Sequence, residues 1–465
     1  MSNFCHSNHL PLARTVSAFL LTLMALPLDS ARGQDDFFTQ IDIDVTPQET
    51  NERYSLFGWA TQTIGWGLED PGPAFARQSS GLSKVETSLF AQFDYRVSER
   101  VSVRISGKAF HEELYRLRSR IDFSEGEINE FRNRYEVRDV YVEYQFEQGS
   151  YLKLGHQMIN WGLSEYIRAT DLINIENQYT FGQQDLEDLR LQVPALLFSH
   201  SAGGLLFDLA ITHDAGRNLI SPEGDEFDQF ILLGGTNLLI EKRKPEDEQE
   251  YFARVSGQHD NGDFQFVLAE ANDNNLGVSR LDFTSFPAPL VQLKQNRFRA
   301  AGFAANWVSG PWLAFTEVAL QKGNLIRPAT ELLPLFTSGW DERNQVVSVA
   351  GLEYSGVEST VLTFELDNIH TQNYDTTQFG DRDQLSAGAR VYWSGQNERL
   401  QLLAVWNELA NDNGRVHRLS MDYDLSDDLQ LGFLYVNYDT PDNSLFAPYG
   451  NNDTLQLQVQ YNFQM

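Results

Sequence analysis

The sequence predicts an all-β fold, namely a transmembrane antiparallel β-barrel of about 18 strands, porin-like and of the outer-membrane type. Three observations lead to this prediction. Strand-like alternation recurs along the chain, long and short connections alternate, and aromatic residues lie beside the short connections. A closed barrel suits such strands because it leaves no unpaired backbone edge in lipid.

The final strand shows the alternation most clearly. Leu, Leu, Val, Tyr and Phe occupy every second position from 455 to 463, and Gln or Asn fills each position between them. Successive side chains on a strand point to opposite faces, so this strand has an apolar face and a polar face. Such an aromatic strand resembles the signal that the outer-membrane assembly machinery recognises, although Gln464 and Met465 follow Phe463 here. The pattern recurs at 85–95, 101–108, 385–393 and 418–425 but is less regular at 191–213 and 297–308.

Tight turns and longer polar connections alternate along the chain. Tight turns are expected at Ser98-Glu99, Gln148-Gly149, Gly203-Gly204, Asn261-Gly262, Gly310-Pro311, Gly356-Val357, Gln396-Asn397 and Asp427-Asp428. Longer connections are expected at 68–82, 116–133, 160–190, 214–247, 273–296, 322–342, 371–383, 409–414 and 440–452. Nine long and eight short connections join about 18 strands. An even number brings both termini to one side, with short turns in the periplasm and long loops outside.

Aromatic side chains near the short turns are typical of a membrane-interface girdle. They are Tyr95, Phe146, Tyr151, Phe264, Trp307, Trp312, Tyr354, Trp393 and Tyr423. A soluble β-sandwich or propeller would show the same alternation. Ordinary β packing would scatter the aromatic residues along the strands, however, and no repeat of 40–50 residues indicates a propeller.

The first 33 residues are predicted to be a secretory signal peptide. Arg14 precedes the apolar stretch 15–28, and Ala31-Arg32-Gly33 supplies a small-x-small cleavage site. The one cysteine, Cys5, would be removed with this segment, so no disulfide is expected. Residues 34–52 are then an N-terminal periplasmic segment, either a tether or a lumen plug, and 53–465 form the barrel. The prediction is a protein in the outer membrane of a Gram-negative bacterium.

Composition excludes two classes of protein. The chain has 35 Lys and Arg against 65 Asp and Glu, a formal charge of −30, whereas nucleic-acid binding requires basic surfaces. Beyond the first thirty residues, no apolar run approaches the ~18 residues that a transmembrane helix needs. Nucleic acid is therefore not an expected partner, and a helical membrane protein is not an expected fold.

No catalytic centre, cofactor or metal site is expected. The HEEL segment at His111 lacks the second histidine of a zinc-protease motif, because position 115 is Tyr. The pairs His200-Ser201, His213-Asp214 and His259-Asp260 are sequence neighbours, whose side chains would point to opposite faces of a strand. The Asp and Asn clusters at 272–275 and 411–414 fit turn geometry as well as calcium ligation.

Charged residues of both signs are expected on the lumen face. They are Asp94, Arg104, Lys108, Glu143, Lys153, Arg390, Arg418 and Asp422. A polar lumen is normal for a water-filled barrel, and this mixture predicts no clear preference for cations or anions. About 18 strands enclose an aqueous channel unless loops fill it.

Two segments could fill the lumen. Residues 230–240 read FILLGGTNLLI, which is unusually apolar for an external loop and indicates either a locally packed loop or a gate. The second segment, 155–194, contains Gly155 and Gln157, then Trp161-Gly162, Asp171 with Asn174, and Glu187-Asp188 before Arg190. Glycine beside a large ring allows close backbone approach, and Asp171, Asp188 and Arg190 could fix the loop through charge-assisted hydrogen bonds. The alternatives are a lumen constriction and simple loop anchoring.

The second segment resembles the hallmark of a family of large outer-membrane barrels of uncharacterised domain type. The family occurs in proteobacteria beside RND-type (MMPL-like) exporters and a periplasmic carrier similar to lipid carriers. It usually has a basic residue and a proline where this chain has His156 and Ile175. The layout is also similar to that of alginate-export barrels. The resemblance implies a passive conduit with hydrophobic or lipid-like cargo, an exporter and a periplasmic carrier as partners, and energy supplied elsewhere.

The expected function is therefore a passive channel or export conduit that contacts outer-membrane lipid and performs no chemistry. A general diffusion porin is the alternative within transport. An outer-membrane hydrolase, or a plugged scaffold that binds a ligand at the cell surface, is the alternative from another class.

Overall fold

The computed structural model describes residues 53–465 except 71–79, 148, 165–166, 215, 229–238, 283, 286–289, 327–339, 379, 442–443 and 445. The predicted signal peptide (1–33) and N-terminal segment (34–52) lie outside the described residues, and so does most of the apolar segment 230–240.

Strands form most of the described chain. In chain order they are β1 (Tyr54–Gly67), β2 (Gly81–Ser98), β3 (Val101–Glu112), β4 (Asn133–Gln145), β5 (Ser150–Gln157), β6 (Ile175–Gln178), β7 (Arg190–Leu191), β8 (Val193–Ala202), β9 (Leu205–His213), β10 (Leu219–Ile220), β11 (Leu239–Arg243), β12 (Gln249–His259), β13 (Gly262–Asn272), β14 (Gly277–Asp282), β15 (Leu290–Lys294), β16 (Arg297–Ser309), β17 (Trp312–Ile326), β18 (Asp341–Val357), β19 (Thr360–Thr371), β20 (Asp383–Gly395), β21 (Leu400–Leu409), β22 (Gly414–Ser426), β23 (Leu429–Asp439) and β24 (Thr454–Gln464).

Eighteen of these strands form one closed antiparallel barrel, as predicted. The first strand, β1, pairs with its chain neighbour β2 and also with the last strand, β24. The closing ladder runs from Phe57 opposite Gln464 to Gly67 opposite Thr454. The strand that ends the chain therefore closes the barrel, which removes the free edges that lipid would not tolerate.

The remaining strands and the helices lie in the long connections. Strands β6, β7 and β10 form one small sheet, and β11, β14 and β15 form another. The described α-helices are α1 (Leu114–Leu117), α2 (Glu125–Phe131) and α3 (Leu186–Leu189), and two 3-10 helices span Arg120–Asp122 and Ala447–Tyr449. Among the described residues, none of the helices is long and apolar enough to cross a membrane.

Most predicted turns lie at the observed turns or within one residue of them, and two predictions are wrong. The turn predicted at Gln148-Gly149 includes Gln148, which lies outside the described residues. The turn predicted at Gly356-Val357 lies at Glu358-Ser359, because a β-bulge after Tyr354 extends β18. The turn at Gln396-Asn397 is a four-residue turn, 396–399. The connection predicted to be long at 409–414 contains only residues 410–413, so it is as tight as a short turn.

The apolar faces of the barrel strands point outward. In β24, Leu457, Val459 and Tyr461 are exposed on the outer face, and Gln456 and Gln458 face the lumen. Tyr151 was predicted to belong to the membrane-interface girdle, and this prediction is wrong. Its ring packs inside the barrel against an apolar cluster. Its neighbour Lys153 shares this inward face, because alternate residues of a strand point the same way.

An apolar core lies inside the barrel wall at β5 to β16. Inward side chains of the wall pack against Ile159, Trp161 and Ile173 of the connection between β5 and β8; these wall residues are Val193, Ala195, Leu197, Ala210, Phe252, Val267, Ala269, Ala271, Phe298 and Ala300. Here both faces of the strands are apolar, one toward lipid and one toward the loop. This explains the weak alternation in 191–213 and 297–308.

Candidate functional site

The connection between β5 and β8, residues 158–192, folds into the lumen, and we call it the inner loop. On one side it reaches Glu317 of β17 and Glu365 of β19. On the other side it reaches Arg418 of β22 and Gln456 of β24. The inner loop therefore crosses the barrel interior from one wall to the other.

Glu317 is the main anchor on the first side. Its carboxylate is fully buried and accepts hydrogen bonds from the Ser164 backbone N–H (2.7 Å), the Thr170 backbone N–H (3.0 Å) and the Thr170 hydroxyl (2.7 Å). The Leu163 N–H also donates to Glu317. Hydrogen bonds to a carboxylate are roughly twice as strong as neutral ones, so this one side chain fixes two stretches of the loop.

Trp161 and Gly162 lie near the start of the inner loop in the chain. Trp161 is 3% exposed, and the Arg254 guanidinium carbon lies 5.0 Å from the centroid of its ring. A Cβ atom on Gly162 would lie 2.7 Å from the Cβ of Asp171, closer than side-chain carbons approach. Position 162 therefore accepts no larger residue without a shift of the backbone.

A buried ion pair joins the last residues of the inner loop to its middle part. Arg190 Nε donates to Asp171 Oδ2 at 2.7 Å, and Arg168 Nε donates to the same oxygen at 3.1 Å. Burial alone would raise the pKa of Asp171. The guanidinium groups of Arg168 and Arg190 outweigh burial, so the net pKa lies below its usual range.

Asn174 and Gln157 bond to the backbone of adjacent segments. Asn174 is fully buried, accepts from the Ile159 N–H (3.1 Å) and donates to the Ile159 carbonyl (3.0 Å). Gln157, also fully buried, donates to the Ala195 carbonyl at 2.9 Å. Both amides hold the start of the inner loop against neighbouring segments of the chain.

Asp188 ties helix α3 of the inner loop to the barrel wall. Its carboxylate accepts from Lys108 of β3 and from Arg138 of β4. Burial would raise the pKa of Asp188, but these two cations outweigh burial and the net pKa is lowered. The seven residues predicted for the loop motif lie in the inner loop or directly before it, with Asp188 bound to the barrel wall. Each of them anchors or packs the inner loop.

A cavity of about 840 Å³ lies on the opposite side of the inner loop from the apolar core. Its wall includes residues of β1, β2, β3, β22, β23 and β24, and its inner side includes residues 183–185, 187 and 188 of the inner loop. The polar side chains Gln456, Gln458, Gln460 and Asn462 of the closing strand line it in sequence.

The predicted lumen residues separate into two groups. Lys108, Arg418 and Asp422 line the cavity. The others are not among its lining residues. Arg104 donates to Asp94 at 2.7 Å, and Arg390 is buried on β20. Glu143 lies opposite Lys153 in the sheet, and the Lys153 ammonium lies 3.8 Å from the centroid of the Tyr141 ring.

The sequence analysis missed Glu317 and Glu365 as anchors of the inner loop. Alternation places both on the inner face of their strands, so the sequence does predict that their side chains point into the barrel. Their partners lie about 150 and 200 positions away in the chain, and no local signal identifies them. The lining glutamines of β24 were recognised as a polar face but not as part of a passage.

The histidines of the three predicted pairs contact residues other than their sequence neighbours: Ser150 for His200, Glu248 for His213 and the Asn306 carbonyl for His259. His200 Nδ1 lies 2.7 Å from the hydroxyl of Ser150 on the neighbouring strand, and not beside Ser201. Within the described ranges, no group of three or more His, Cys, Asp or Glu side chains could hold a metal ion. In the Asp and Asn clusters, the Asp273 and Asp412 carboxylates accept from the N–H of Asn275 and Gly414, which is turn geometry.

Comparison with known proteins identifies one family and several similar folds. The family described as "Protein of unknown function (DUF1302)" matches residues 78–463. No curated protein matches the chain.

Three solved structures illustrate the similarity of fold. The outer membrane protein OpdK of Pseudomonas aeruginosa has a TM-score of 0.50 and 9% identity, and the match covers 89% of this chain and 99% of that chain. OccAB3 of Acinetobacter baumannii has a TM-score of 0.51 and 9% identity, with 89% of this chain and 99% of that chain covered. A BenF-like porin of Pseudomonas fluorescens Pf-5 has a TM-score of 0.51 and 10% identity, with 89% of this chain and 98% of that chain covered. At such identities the likeness concerns the fold, which is that of a porin-like barrel.

Proposed function

The chain belongs to the DUF1302 family of proteins of unknown function, and we propose that it is a passive channel of the outer membrane. In this proposal, solutes move down their gradient through the cavity beside the inner loop. The barrel supplies the wall, and the inner loop sets the width of the passage.

The extent of the cavity carries the proposal. Its lining begins at the level of the short turns, with Asn462 and Asp427, and continues to the long connections, with Tyr115 and Asp225. Polar side chains of β24 line the intervening height. Because a solute could stay in contact with polar groups along this whole path, the cavity fits a water-filled passage better than a closed void.

The proposed location rests on independent features. The predicted signal peptide indicates export, and the barrel presents exposed apolar side chains such as Leu457 and Val459 on its outer face. The porin-like fold is consistent with an outer-membrane protein.

The test is single-channel recording in planar bilayers with the chain refolded from residue 34, beside a variant that lacks 229–241. Stable open steps in the parent are expected, and liposomes that carry it should swell in small sugars but not in dextran. A silent parent with a conducting deletion variant would mean a gated conduit. Silence of both, with insertion verified, would contradict the channel.

The cargo and partners implied by the family resemblance remain proposals. Aromatic side chains, among them Trp59, Phe110 and Phe123, line the cavity beside the polar groups, which supports cargo with an apolar part. We propose that an RND-type exporter and a periplasmic carrier deliver such cargo. Site-specific crosslinking from the short turns in intact cells tests this: a crosslinked periplasmic protein is expected, and crosslinks only to other barrels would contradict it.

Current recordings, ligand binding and hydrolase activity together separate the rival functions. A general diffusion porin would conduct with and without 229–241 and show no preference among small solutes. A plugged scaffold would not conduct but would still bind an external ligand. A hydrolase would show activity on lipid or peptide substrates that His200→Ala or His213→Ala reduces.

A further inference from the structure

The charge that lines the passage is strongly unbalanced. Within the part of the chain that the structure describes, twelve carboxylate side chains line the cavity against four basic side chains, a difference of eight negative charges. The basic residues are Lys84, Lys108, Arg134 and Arg418. Opposite charges in such numbers do not cancel, whereas the charged residues predicted for the lumen from the sequence indicated no clear preference for cations or anions.

The basic side chains lie behind their acidic partners at the middle of the passage. Arg418 pairs with Asp185 at 2.5 Å, and the exposed fractions of the two side chains are 12% and 64%. Lys108 lies 3.7 Å from Glu187, with exposed fractions of 5% and 45%. At both places the carboxylate faces the open space and the cation is buried against the wall, so a solute meets the negative group first.

The other two basic side chains are also neutralised. Arg134 lies 3.2 Å from Glu136, and its guanidinium carbon is 4.1 Å from the centroid of the Phe110 ring. Lys84 is 3.3 Å from Glu86. In these two pairs the cation is the more exposed partner, with 17% against 8% for Arg134 and Glu136 and 32% against 16% for Lys84 and Glu86. Each cation of the lining therefore has a carboxylate within ion-pair distance. Arg138, buried behind the lining, also pairs with Glu136 and Asp188, so seven of the twelve carboxylates remain in excess.

We infer that the passage is cation-selective and that its solutes are organic cations, such as amines with an apolar body, rather than carboxylates. This inference rests on the proposed channel function and names its substrate class. Fixed charge in a narrow, low-dielectric passage concentrates counter-ions and excludes ions of the same sign. The aromatic side chains of the lining, including Trp59 and Phe110, suit the apolar part of such a solute and can contact its cation.

The test measures the reversal potential of the refolded chain in a planar bilayer under a tenfold KCl gradient. We expect a reversal potential of the same sign as the potassium equilibrium potential, with potassium several-fold more permeant than chloride. Glu187→Lys with Asp422→Lys should shift the permeability ratio strongly toward chloride. The matched control Glu358→Lys, in an exposed turn outside the passage, should leave it unchanged.

Liposome swelling with benzylamine and benzoate, a pair that differs mainly in charge, gives a second readout. Faster uptake of benzylamine is expected, and the difference should shrink in high salt because exposed charges are screened. Equal uptake, or selectivity for chloride, would overturn the inference but leave a channel. Inserted protein with neither current nor swelling would overturn the channel proposal, and this inference with it.

Discussion

Arg190, near the end of the inner loop, forms an ion pair inside the barrel with Asp171, which lies nearer the middle of the loop. Their side chains meet at 2.7 Å and both are more than nine-tenths buried. A second nitrogen of Arg190 donates to the Ser164 carbonyl at 3.1 Å, so the arginine binds the first half of the loop at two points. The width of the proposed passage depends on this pair, because it holds the loop in place.

Replacing Arg190 with methionine should release the inner loop. The substitution leaves the buried Asp171 carboxylate with only Arg168, and breaking a buried ion pair costs about 3–5 kcal/mol. We expect faster hydrogen exchange in 158–192 and larger or noisier current steps. Arg104→Met, which breaks a pair with Asp94 elsewhere in the lumen, is the control and should leave exchange in the loop unchanged. Equal exchange in both variants would contradict the anchoring role.

The pH dependence of loop docking should appear only in acid. The folded pKa of Asp171 lies below its unfolded value, so its contribution to docking is complete above the unfolded pKa of about 4 and is lost as pH falls through the folded pKa. Conductance should therefore not change through this residue between pH 8 and pH 5. Asp171→Asn should remove the acid transition, measured between pH 3 and pH 8. A transition near pH 6 that this variant abolishes would contradict the assignment.

Gly162→Ala should disturb the loop without changing any charge. The added methyl group would lie 2.7 Å from the Cβ of Asp171, so either the backbone or the ion pair must shift. We expect a loss of about 1–3 kcal/mol in the stability of loop docking, measured by hydrogen exchange. Gly126→Ala in α2, where a Cβ meets its nearest atom at 3.4 Å, is the matched control. Similar exchange in the two variants would mean that space at Gly162 is not limiting.

Glu317→Gln should weaken the loop from the opposite wall. The carboxylate accepts from three backbone N–H groups and one hydroxyl, and an amide would direct its own N–H toward some of these donors. Hydrogen exchange in the inner loop should become faster, as expected for Arg190→Met. The thermal stability of the barrel in detergent should change little. Glu270→Gln, which affects a partly exposed pair with Arg299, supplies the comparison. An inner loop that exchanges normally in Glu317→Gln would mean that Glu317 is not needed for docking.

The barrel was largely predictable because its signals are local. Period-2 alternation and turn residues depend on near neighbours in the chain, and they placed the strands with errors mainly where a bulge intervened, as after Tyr354. The anchors of the inner loop were not predictable. Glu317 and Glu365 look like any inward acidic residue, and only the folded chain shows that they meet Thr170 and Ser164.

The charge of the passage was likewise hidden in the sequence. Lys108 and Arg418 were recognised as lumen residues, but their burial behind Glu187 and Asp185 depends on how the inner loop crosses the barrel. Inner-loop carboxylates and wall cations come from distant parts of the chain. The charged residues expected on the strands therefore indicated no preference, whereas carboxylates outnumber basic side chains in the folded lumen.

The most direct test of the passage compares two adjacent residues of β24. The only cysteine of the sequence is Cys5, so the chain from residue 34 can carry Gln458→Cys or Val459→Cys as its one thiol. Gln458 lines the cavity, and Val459 is exposed on the outer face of the barrel. A positively charged methanethiosulfonate should reduce the current through Gln458→Cys and leave that of Val459→Cys unchanged. Labelled Gln458→Cys with an unaltered current would contradict a solute path beside the inner loop.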